Sequence, residues 1–266
     1  MKLAANLSLL YPGLPLDARM AAAAQDGFKG AEILFPYDRD ASTLTTQLHL
    51  HGLELVLLNT PLGENGEKGL ACLPGRDADF RDGFQKALDT CLATGCKIIH
   101  VMAGEPPAGT DRATCFDTLV ENLRWAAPLA AQAGITLTLE ALNRHDVPGY
   151  FYYLPEQVIE VIRAVDHASV RLQFDFYHSQ RENLDLDASL RRALPLVHHV
   201  QFASPINRRE PRLDDPEVVT ALCSLRDAGY EGWIGCEYIP QGDTSTGLAW
   251  RETYYALITP NKENRP

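Results

Sequence analysis

Four polar side chains that could bind a cation follow one another in the second half of the chain. Each ends a short apolar run: Glu140 in LTLEA, Asp175 in LQFDF, Gln201 in HVQFA and Glu237 in GCEY. If the runs are neighbouring parallel strands, their ends meet at one edge, where three carboxylates repel one another unless protons or a cation neutralise them. Because all the ligands are oxygens, the spacing predicts one divalent metal ion, Mg²⁺ or Mn²⁺ before zinc.

Other polar residues near these strand ends are weaker candidates. His178 comes three positions after the second carboxylate, where it could carry a proton, although a surface histidine would look the same. Arg208 and Arg209, in SPINRREP, could bind a substrate carboxylate or remain solvated. His100 lies inside a predicted strand and is either a hydrogen-bonded core histidine or a substrate contact. Glu32 could equally pair with a neighbour inside the mouth that these strand ends would form.

The elements that must position these residues alternate along the chain. Eight short apolar runs are predicted as strands, and eight segments with apolar residues at helical spacing are predicted as helices. The strands are expected near residues 2–8, 31–36, 53–61, 97–104, 135–141, 170–176, 197–204 and 232–238. The helices are expected at residues 17–27, 41–51, 78–95, 111–133, 155–166, 187–194, 215–229 and 244–257.

Near-continuous apolar strands joined by helices are typical of parallel strands that are covered on both faces. Eight such units in about 250 residues predict an α/β fold, the (β/α)8 TIM barrel. We expect a single domain over residues 1–258 and a flexible C-terminal tail over residues 259–266. A doubly wound open sheet is the alternative, but it favours a G-x-G-x-x-G turn after the first strand, where this chain has NLSLLYPGLP.

The composition limits the classes of partner. The chain has 266 residues and a formal charge of -11, with 24 Lys and Arg against 35 Asp and Glu and no basic run. Nucleic-acid binding is therefore disfavoured, since it needs clustered basic residues. No segment approaches the roughly 20 apolar residues that cross a membrane, and the start lacks a secretory signal. The sequence predicts a soluble, cytoplasmic protein with a small-molecule partner.

The cysteines show no C-x-x-C pair, which disfavours a structural zinc site or a disulfide framework. Several lie in apolar surroundings, as buried free thiols do. The six are Cys72, Cys91, Cys96, Cys115, Cys223 and Cys236.

Long motifs from about residue 3 to residue 255 carry a family resemblance. They include EILFPY, LLNTPLGENGEKGLACLPGR, HVMAGEPPAG, EALNRHDVPGYF, LQFDFYHSQ, HVQFASP and GYEGWIGCEYIP. This combination resembles the hydroxypyruvate isomerase family, which includes the 2-oxo-tetronate isomerases and is grouped with the xylose isomerase-like TIM barrels. The resemblance also implies a dimer or a larger homo-oligomer.

The resemblance implies roles for the four strand-end residues: Glu140 and Glu237 exchange protons, while Asp175 and Gln201 mainly hold one divalent metal. Moving a carbonyl to the neighbouring carbon requires removal of one C–H proton and return of a proton to the adjacent carbon. A metal chelated by the carbonyl and hydroxyl oxygens stabilises the intervening enediolate. The leading reaction is hydroxypyruvate to 2-hydroxy-3-oxopropanoate (tartronate semialdehyde).

Five further residues are expected near the substrate. By motif match with the family, His178 steadies charge on oxygen and Arg208 binds a substrate carboxylate. In related sugar epimerases an acidic residue six positions after the first glutamate contacts substrate, and Asp146 has that offset. We also expect Asn143 and His100 to face the substrate.

Several alternatives share these residues. The same groups suit a 2-oxo-tetronate isomerase or a ketose 3-epimerase. A metal-dependent sugar dehydratase and a catalytically silent sugar-binding barrel are further alternatives, although a silent barrel would be expected to lose one glutamate. A multi-zinc DNA-repair endonuclease of this barrel type would need more histidines and a basic mouth. The loop over residues 205–219 departs from the family pattern, since EPRLDDPEVV replaces the usual sequence. The identity of the substrate therefore stays open.

Overall fold

A computed structural model of the chain describes residues 1–259, and eight parallel strands in it close into one barrel. Each strand pairs with its neighbours in sequence, and the first strand pairs with the last. The predicted TIM barrel is confirmed. The strands are β1 (Lys2–Asn6), β2 (Gly30–Glu32), β3 (Glu54–Asn59), β4 (Ile98–His100), β5 (Thr136–Glu140), β6 (Val170–Asp175), β7 (Val197–Phe202) and β8 (Trp233–Cys236).

Ten α-helices and one 3₁₀ helix, at Leu194–Leu196, are present in residues 1–259. Of the predicted tail at 259–266, only Thr259 is described, so that prediction lies outside the described residues. The α-helices are α1 (Leu16–Gln25), α2 (Ala41–His51), α3 (Asp77–Thr94), α4 (Arg112–Gln132), α5 (Pro155–Val165), α6 (Phe176–Arg181), α7 (Leu186–Ala193), α8 (Pro216–Asp227), α9 (Thr244–Gly247) and α10 (Trp250–Ile258).

Two strands are shorter than their apolar runs. β2 and β4 have three residues each, whereas strands were predicted over residues 31–36 and 97–104. The regular pairing of β2 is disturbed by a register shift between Ala31 and Glu32. Ile33 after β2 and Val101, Met102 and Ala103 after β4 stay buried beyond the strand ends, so burial alone does not mark where a strand ends.

The sequence did not predict α6. Asp175 ends β6 and also caps α6, because its Oδ1 accepts a hydrogen bond of 2.8 Å from the Tyr177 N–H. The run LQFDF continues with apolar residues across this boundary and hides it. The helix predicted over 244–257 is likewise divided into α9 and α10.

The core has two parts. The larger part joins the strands to the surrounding helices, and a smaller cluster contains Ala4, Val56, Leu57 and Ile98. Trp233 packs against the smaller cluster, and a Cβ on Gly30 would lie 2.6 Å from its ring, so a glycine is needed there.

The predicted free thiols are confirmed: all six cysteines lie in the described residues, none forms a disulfide, and five are buried. Among the helices of residues 1–259, none combines the length and the apolar character that a membrane crossing requires.

Candidate active site

The four predicted metal ligands lie at the carboxyl ends of consecutive strands. Glu140 and Asp175 end β5 and β6, Gln201 is the second-last residue of β7, and Glu237 directly follows β8. In the strand register, Asp175 pairs with Gln201. The four side chains belong to residues that are 7% exposed or less. Three carboxylates therefore share one buried site at the mouth of the barrel.

Glu140, Asp175 and His178 form the tightest polar group of the site. One ligand atom from each lies within 4.8 Å of the other two, and no other group of His, Cys, Asp or Glu in residues 1–259 has this geometry. Glu140 Oε1 and Asp175 Oδ2 are buried and have no hydrogen-bond partner among the described residues. Because unpaired buried carboxylate oxygens are costly, the pair fits a cation that would ligate both.

The tautomer of His178 follows from its backbone contact. Its Nδ1 accepts a hydrogen bond of 3.0 Å from the Asn143 N–H, so the proton of the neutral ring is on Nε2. Burial, followed by the charge of Arg208, lowers the pKa of His178 well below its ordinary value, which keeps the ring neutral. His178 is therefore a hydrogen-bond donor at this site rather than a metal ligand. Its Nε2 lies 3.7 Å from Asp175 Oδ2.

Arg208 is the cation closest to the carboxylates. Its Nη2 lies 2.5 Å from Glu237 Oε1 and 3.8 Å from Asp175 Oδ2. The guanidinium also stacks on the Tyr177 ring at 4.8 Å from the ring centre. The side chain is 22% exposed, so it remains partly accessible from the mouth. This geometry suits an arginine that binds an anion entering from outside.

Arg209, predicted as an equal candidate, has a different role. Its Nη1 donates to the backbone oxygens of Ile239 and Pro240, which ties the loop after β7 to the loop after β8. Asn207 and Arg208 both adopt left-handed backbone angles, with φ of 57° and 52°. Such angles are uncommon outside glycine, and two in succession turn the Arg208 side chain into the mouth.

The buried acids have raised pKa values. Burial, and then the charges of Glu237 and Asp175, raise the pKa of Glu140 well above its ordinary value. Burial raises the pKa of Glu237 to about 8 against the opposing effect of Arg208. Burial likewise raises the pKa of Asp175 to about 6, again opposed by Arg208. Glu237 can thus hold and release a proton near neutral pH, and the pKa of Glu140 is shifted in the same direction.

Gln201 has both ends of its amide engaged. Its Nε2 donates to Glu32 Oε2 at 2.9 Å, and its Oε1 accepts a bond of 2.7 Å from Gln173 Nε2. Because β7 and β2 are not neighbours, the bond to Glu32 crosses the barrel interior. Glu32 also lies 2.6 Å from His199 Nε2, so the alternative in which Glu32 pairs inside the barrel is confirmed. Metal binding by Gln201 remains a prediction.

Asp146 and Asn143 contact each other and α6. Asp146 Oδ2 accepts bonds of 2.6 Å from the Tyr177 hydroxyl and 3.0 Å from Asn143 Nδ2. Asn143 Oδ1 accepts from the N–H groups of His145 and Asp146, as in a tight turn. These bonds hold the loop after β5 in place, and the predicted substrate contacts of both residues remain predictions.

His100 lies at the end of β4 with its Nδ1 at 3.4 Å from Glu140 Oε2. Its Nε2 is buried and has no hydrogen-bond partner within residues 1–259. Burial lowers the pKa of His100 to about 3, so the ring is neutral. A neutral ring with an unsatisfied nitrogen is compatible with the substrate contact that was predicted.

Sequence reasoning missed Gln173, His199 and Tyr177. Gln173 and His199 each lie two positions before a predicted ligand, and alternate residues of a strand share a face. That periodicity could have placed both residues in the barrel interior. No sequence signal marks Tyr177, whose position depends on the unpredicted helix α6.

Comparison with known proteins adds independent information. A family model described as xylose isomerase-like TIM barrel matches residues 20–254. A 2-oxo-tetronate isomerase from Cupriavidus necator is 41% identical over 255 residues, which cover 95% of this chain and 98% of the relative. The hydroxypyruvate isomerase of Escherichia coli is 37% identical over 256 residues, which cover 96% and 99% of the two chains.

A solved structure has the same fold over nearly the same length. A protein from Brucella melitensis, whose structure is titled AP endonuclease, family 2, superposes with a TM-score of 0.89 at 39% identity. The superposition covers 95% of this chain and 98% of that chain.

Proposed function

The chain belongs to the xylose isomerase-like TIM barrel family and is an isomerase that acts on a small oxo acid, and we propose that it interconverts hydroxypyruvate and 2-hydroxy-3-oxopropanoate. Relatives named hydroxypyruvate isomerase and 2-oxo-tetronate isomerase both match almost the whole chain, which supports the proposal. The predicted cytoplasmic location and homo-oligomer remain predictions, and sedimentation of the purified protein would test the latter.

The pair of buried glutamates is the observation that carries this proposal. Glu140 and Glu237 lie three strands apart in the barrel order, with Asp175 and Gln201 between them. Both glutamates have raised pKa values, for which burial is the largest cause. A substrate lying across the mouth would therefore have one proton acceptor and one proton donor on its two sides.

The proton transfers follow from the chemistry of the substrate. In the ketone form, one glutamate removes a proton from C3, which carries the hydroxyl group, and the enediolate forms. The other glutamate returns a proton to C2, while the hydroxyl proton of C3 passes to the C2 oxygen. The Nε2–H of neutral His178 is oriented to donate a hydrogen bond to the oxygen on which charge develops.

The donor set fits one divalent cation, held by Glu140, Asp175 and Gln201, with Glu237 as a further carboxylate ligand. The unpaired oxygens of Glu140 and Asp175 are the structural support for this part of the proposal. When bound, Mg²⁺ or Mn²⁺ would act as a Lewis acid that stabilises negative charge on the substrate oxygens.

Arg208 favours a carboxylic acid as the substrate. It is partly exposed at the mouth, and its guanidinium can form two parallel hydrogen bonds to a carboxylate. Hydroxypyruvate carries one carboxylate, which Arg208 would hold while the adjacent carbons lie near the glutamates. A neutral ketose offers Arg208 no carboxylate to bind, so a ketose 3-epimerase is less well supported.

A 2-oxo-tetronate isomerase is the second candidate. Its substrate has the same 2-oxo acid group with one more carbon, so the same residues could act on it. The 41% identical relative of that name favours it. The loop over residues 205–219, which departs from the family pattern, borders the mouth and would influence the length of substrate that fits.

Other classes find less support. An endonuclease with several zinc ions would need more ligand clusters, but residues 1–259 hold a single group of at least three His, Cys, Asp or Glu in metal-binding geometry. The charge of -11 also opposes binding of a nucleic acid. A sugar dehydratase or a silent sugar-binding barrel would leave the two-glutamate arrangement without its simplest use.

The decisive experiment is a turnover assay of metal-free protein reconstituted with Mg²⁺ or Mn²⁺. Hydroxypyruvate, 2-oxo-tetronates and simple ketoses would be compared as substrates. Because each glutamate exchanges a proton, Glu140→Gln and Glu237→Gln should each lower kcat by about 100-fold or more. Glu156→Gln, which alters an exposed ion pair with Arg192, is the matched control and should leave kcat unchanged. Near wild-type turnover in either site variant would exclude the two-glutamate mechanism.

A further inference from the structure

Glu32, at the end of β2, is a fully buried carboxylate that the proton transfers do not use. Three donors converge on it: Asn6 Nδ2 and Gln201 Nε2 lie 2.9 Å from Oε2, and His199 Nε2 lies 2.6 Å from Oε1. β8 leaves room for this carboxylate, because a Cβ on Gly235 would lie 2.1 Å from Oε1. Residues of β1, β7 and β8 therefore surround the Glu32 carboxylate in the barrel interior.

The position of Glu32 dictates which way the Gln201 amide faces. Glu32 Oε2 accepts from both Asn6 and Gln201, so Gln201 turns its NH₂ group toward Glu32 and its oxygen away. That oxygen accepts from Gln173 Nε2 at 2.7 Å, and the oxygen of Gln173 accepts from Thr138 Oγ1 at 3.0 Å. Gln201 thus turns its NH₂ group toward Glu32, and Gln173 turns its NH₂ group toward Gln201.

We propose that Glu32 is a positioning residue that fixes the Gln201 amide with its oxygen facing Gln173 of β6, so that this oxygen rather than the NH₂ group is presented to the divalent cation. This inference rests on the proposed function, because it concerns the cation of that site. A carbonyl oxygen has two lone pairs, and Gln173 takes one of them. The other lone pair is free for the cation.

Without the acceptor at position 32, the amide would lose its preferred direction. An amide turned by 180° presents two hydrogens where the cation requires an oxygen. Partners that orient a metal ligand in this way are typically worth about 10- to 100-fold in metal affinity. Loss of Glu32 should therefore weaken metal binding even though Glu32 does not contact the cation.

The test is the affinity of metal-free full-length protein for Mn²⁺, measured by titration calorimetry without substrate. Glu32→Gln keeps the size of the side chain but replaces the pure acceptor by a group that also donates. We expect the dissociation constant for Mn²⁺ to rise by about 10- to 100-fold. Asn122→Ala is the control, because it removes a buried amide bonded to the Ala71 carbonyl far along the chain from the site, and its Mn²⁺ affinity should match wild type.

A second variant guards against misfolding. Removing one partner of a buried hydrogen bond, such as that between His199 and Glu32, leaves the other partner unsatisfied, whereas replacing both partners costs much less. Glu32→Gln combined with His199→Gln replaces both partners and still exchanges the carboxylate that faces the Gln201 NH₂ group for an amide that can also donate. The double variant should bind Mn²⁺ as weakly as Glu32→Gln while unfolding at a temperature close to that of wild type.

The outcomes separate the two proposals. Weak Mn²⁺ binding by the folded double variant supports the positioning role. Wild-type affinity in that variant would overturn the positioning role and leave the proposed isomerase reaction standing. Absence of Mn²⁺ binding in the wild-type protein itself would overturn both the cation site and this inference.

Discussion

Arg208 supplies the positive charge nearest to the three carboxylates of the mouth. It lies within 2.5 Å of Glu237 and 3.8 Å of Asp175, and these charges with that of Glu140 hold the pKa of Arg208 above its ordinary value against the effect of burial. In the proposed reaction, the same guanidinium binds the substrate carboxylate. Arg208 is thus a competitor of the cation and a ligand of the substrate.

Because of this double role, replacing Arg208 should strengthen metal binding and weaken substrate binding. In Arg208→Gln, loss of the competing charge should tighten Mn²⁺ binding several-fold. The same variant should raise KM for hydroxypyruvate by about 10-fold or more, since a hydrogen bond to a charged group contributes about 1.5–3 kcal/mol. Calorimetry with Mn²⁺ and steady-state kinetics at saturating Mn²⁺ measure the two effects separately.

Arg209→Gln is the matched control for Arg208→Gln. It removes an adjacent guanidinium that bonds the backbone of Ile239 and Pro240. Mn²⁺ affinity and KM should each stay within about twofold of wild type, because surface hydrogen bonds of this kind contribute little to a site that they do not touch. If both arginine variants changed KM equally, Arg208 would not be the specific carboxylate ligand.

The polar residues at the strand ends could be predicted from the sequence, but their proton positions and hydrogen-bond partners could not. Glu140 and Asp175 could be placed together because the ends of parallel strands converge. The neutral state of His178 depends on its burial, and the position of its proton depends on the direction of the Asn143 N–H, which is set by a loop fold. The pairing of Glu32 with Gln201 depends on contact across the barrel between strands far apart in sequence.

At the scale of elements, the loop after β5 is held against α6. Besides the bond from Asn143 to His178, the Tyr177 hydroxyl donates to Asp146, and Arg144 pairs with Glu182 at 2.7 Å. These contacts join the end of one strand to the short helix after the next strand. They place His178 and the Tyr177 ring at the mouth.

Removing one of these ties should loosen the loop without removing any proposed catalytic group. Tyr177→Phe keeps the ring beneath Arg208 but loses the hydrogen bond to Asp146. A charge-assisted bond of this kind contributes about 1–3 kcal/mol, so we expect KM to rise about three- to tenfold with a smaller change in kcat. Hydrogen exchange over residues 143–150 should become faster.

Tyr230→Phe serves as the control for this variant, since it loses a hydroxyl that donates to the Trp233 carbonyl at the opposite end of β8. It should change neither KM nor the exchange rate of residues 143–150. Unchanged exchange over that loop in Tyr177→Phe would show that the hydroxyl is not what holds the loop in place.

The order of elements was predictable because each strand is a compact apolar run and most helices are amphipathic over several turns. α6 was not, since its apolar residues continue the run of β6 and only the capping contact of Asp175 separates the two elements. Likewise, the turn of the Arg208 side chain into the mouth depends on successive left-handed residues that no apolar pattern records.

At the scale of the whole molecule, the barrel holds ionisable groups away from water, and Arg208 is a cation that lies beside the acids. Such groups link stability to pH whenever their pKa values differ between the native and unfolded states. Buried groups with raised pKa values and buried groups with lowered pKa values change the stability with pH in opposite directions. Glu237 has a raised pKa of about 8, and His100 has a lowered pKa of about 3.

The sign of each effect follows from proton counting. For Glu237, the native state holds a proton that the unfolded state has lost between the ordinary value of 4.5 and about 8, so stability falls as pH rises through that window. For His100, the unfolded state holds a proton that the native state lacks between about 3 and 6.5, so stability falls as pH drops. The two effects offset each other between pH 4.5 and 6.5, and of the two only the carboxyl effect acts between 6.5 and about 8.

The metal-free protein should therefore lose stability as the pH rises from 6.5 to 8, by up to about 1.4 kcal/mol per pH unit for each glutamate that titrates in this range. Saturating Mn²⁺ should abolish the loss, because the cation favours the ionised carboxylates. Urea unfolding at four pH values, with a chelator and with Mn²⁺, measures both slopes. Glu237→Gln should reduce the slope of the metal-free protein, whereas equal slopes with and without Mn²⁺ would mean that the buried carboxylates do not share a cation.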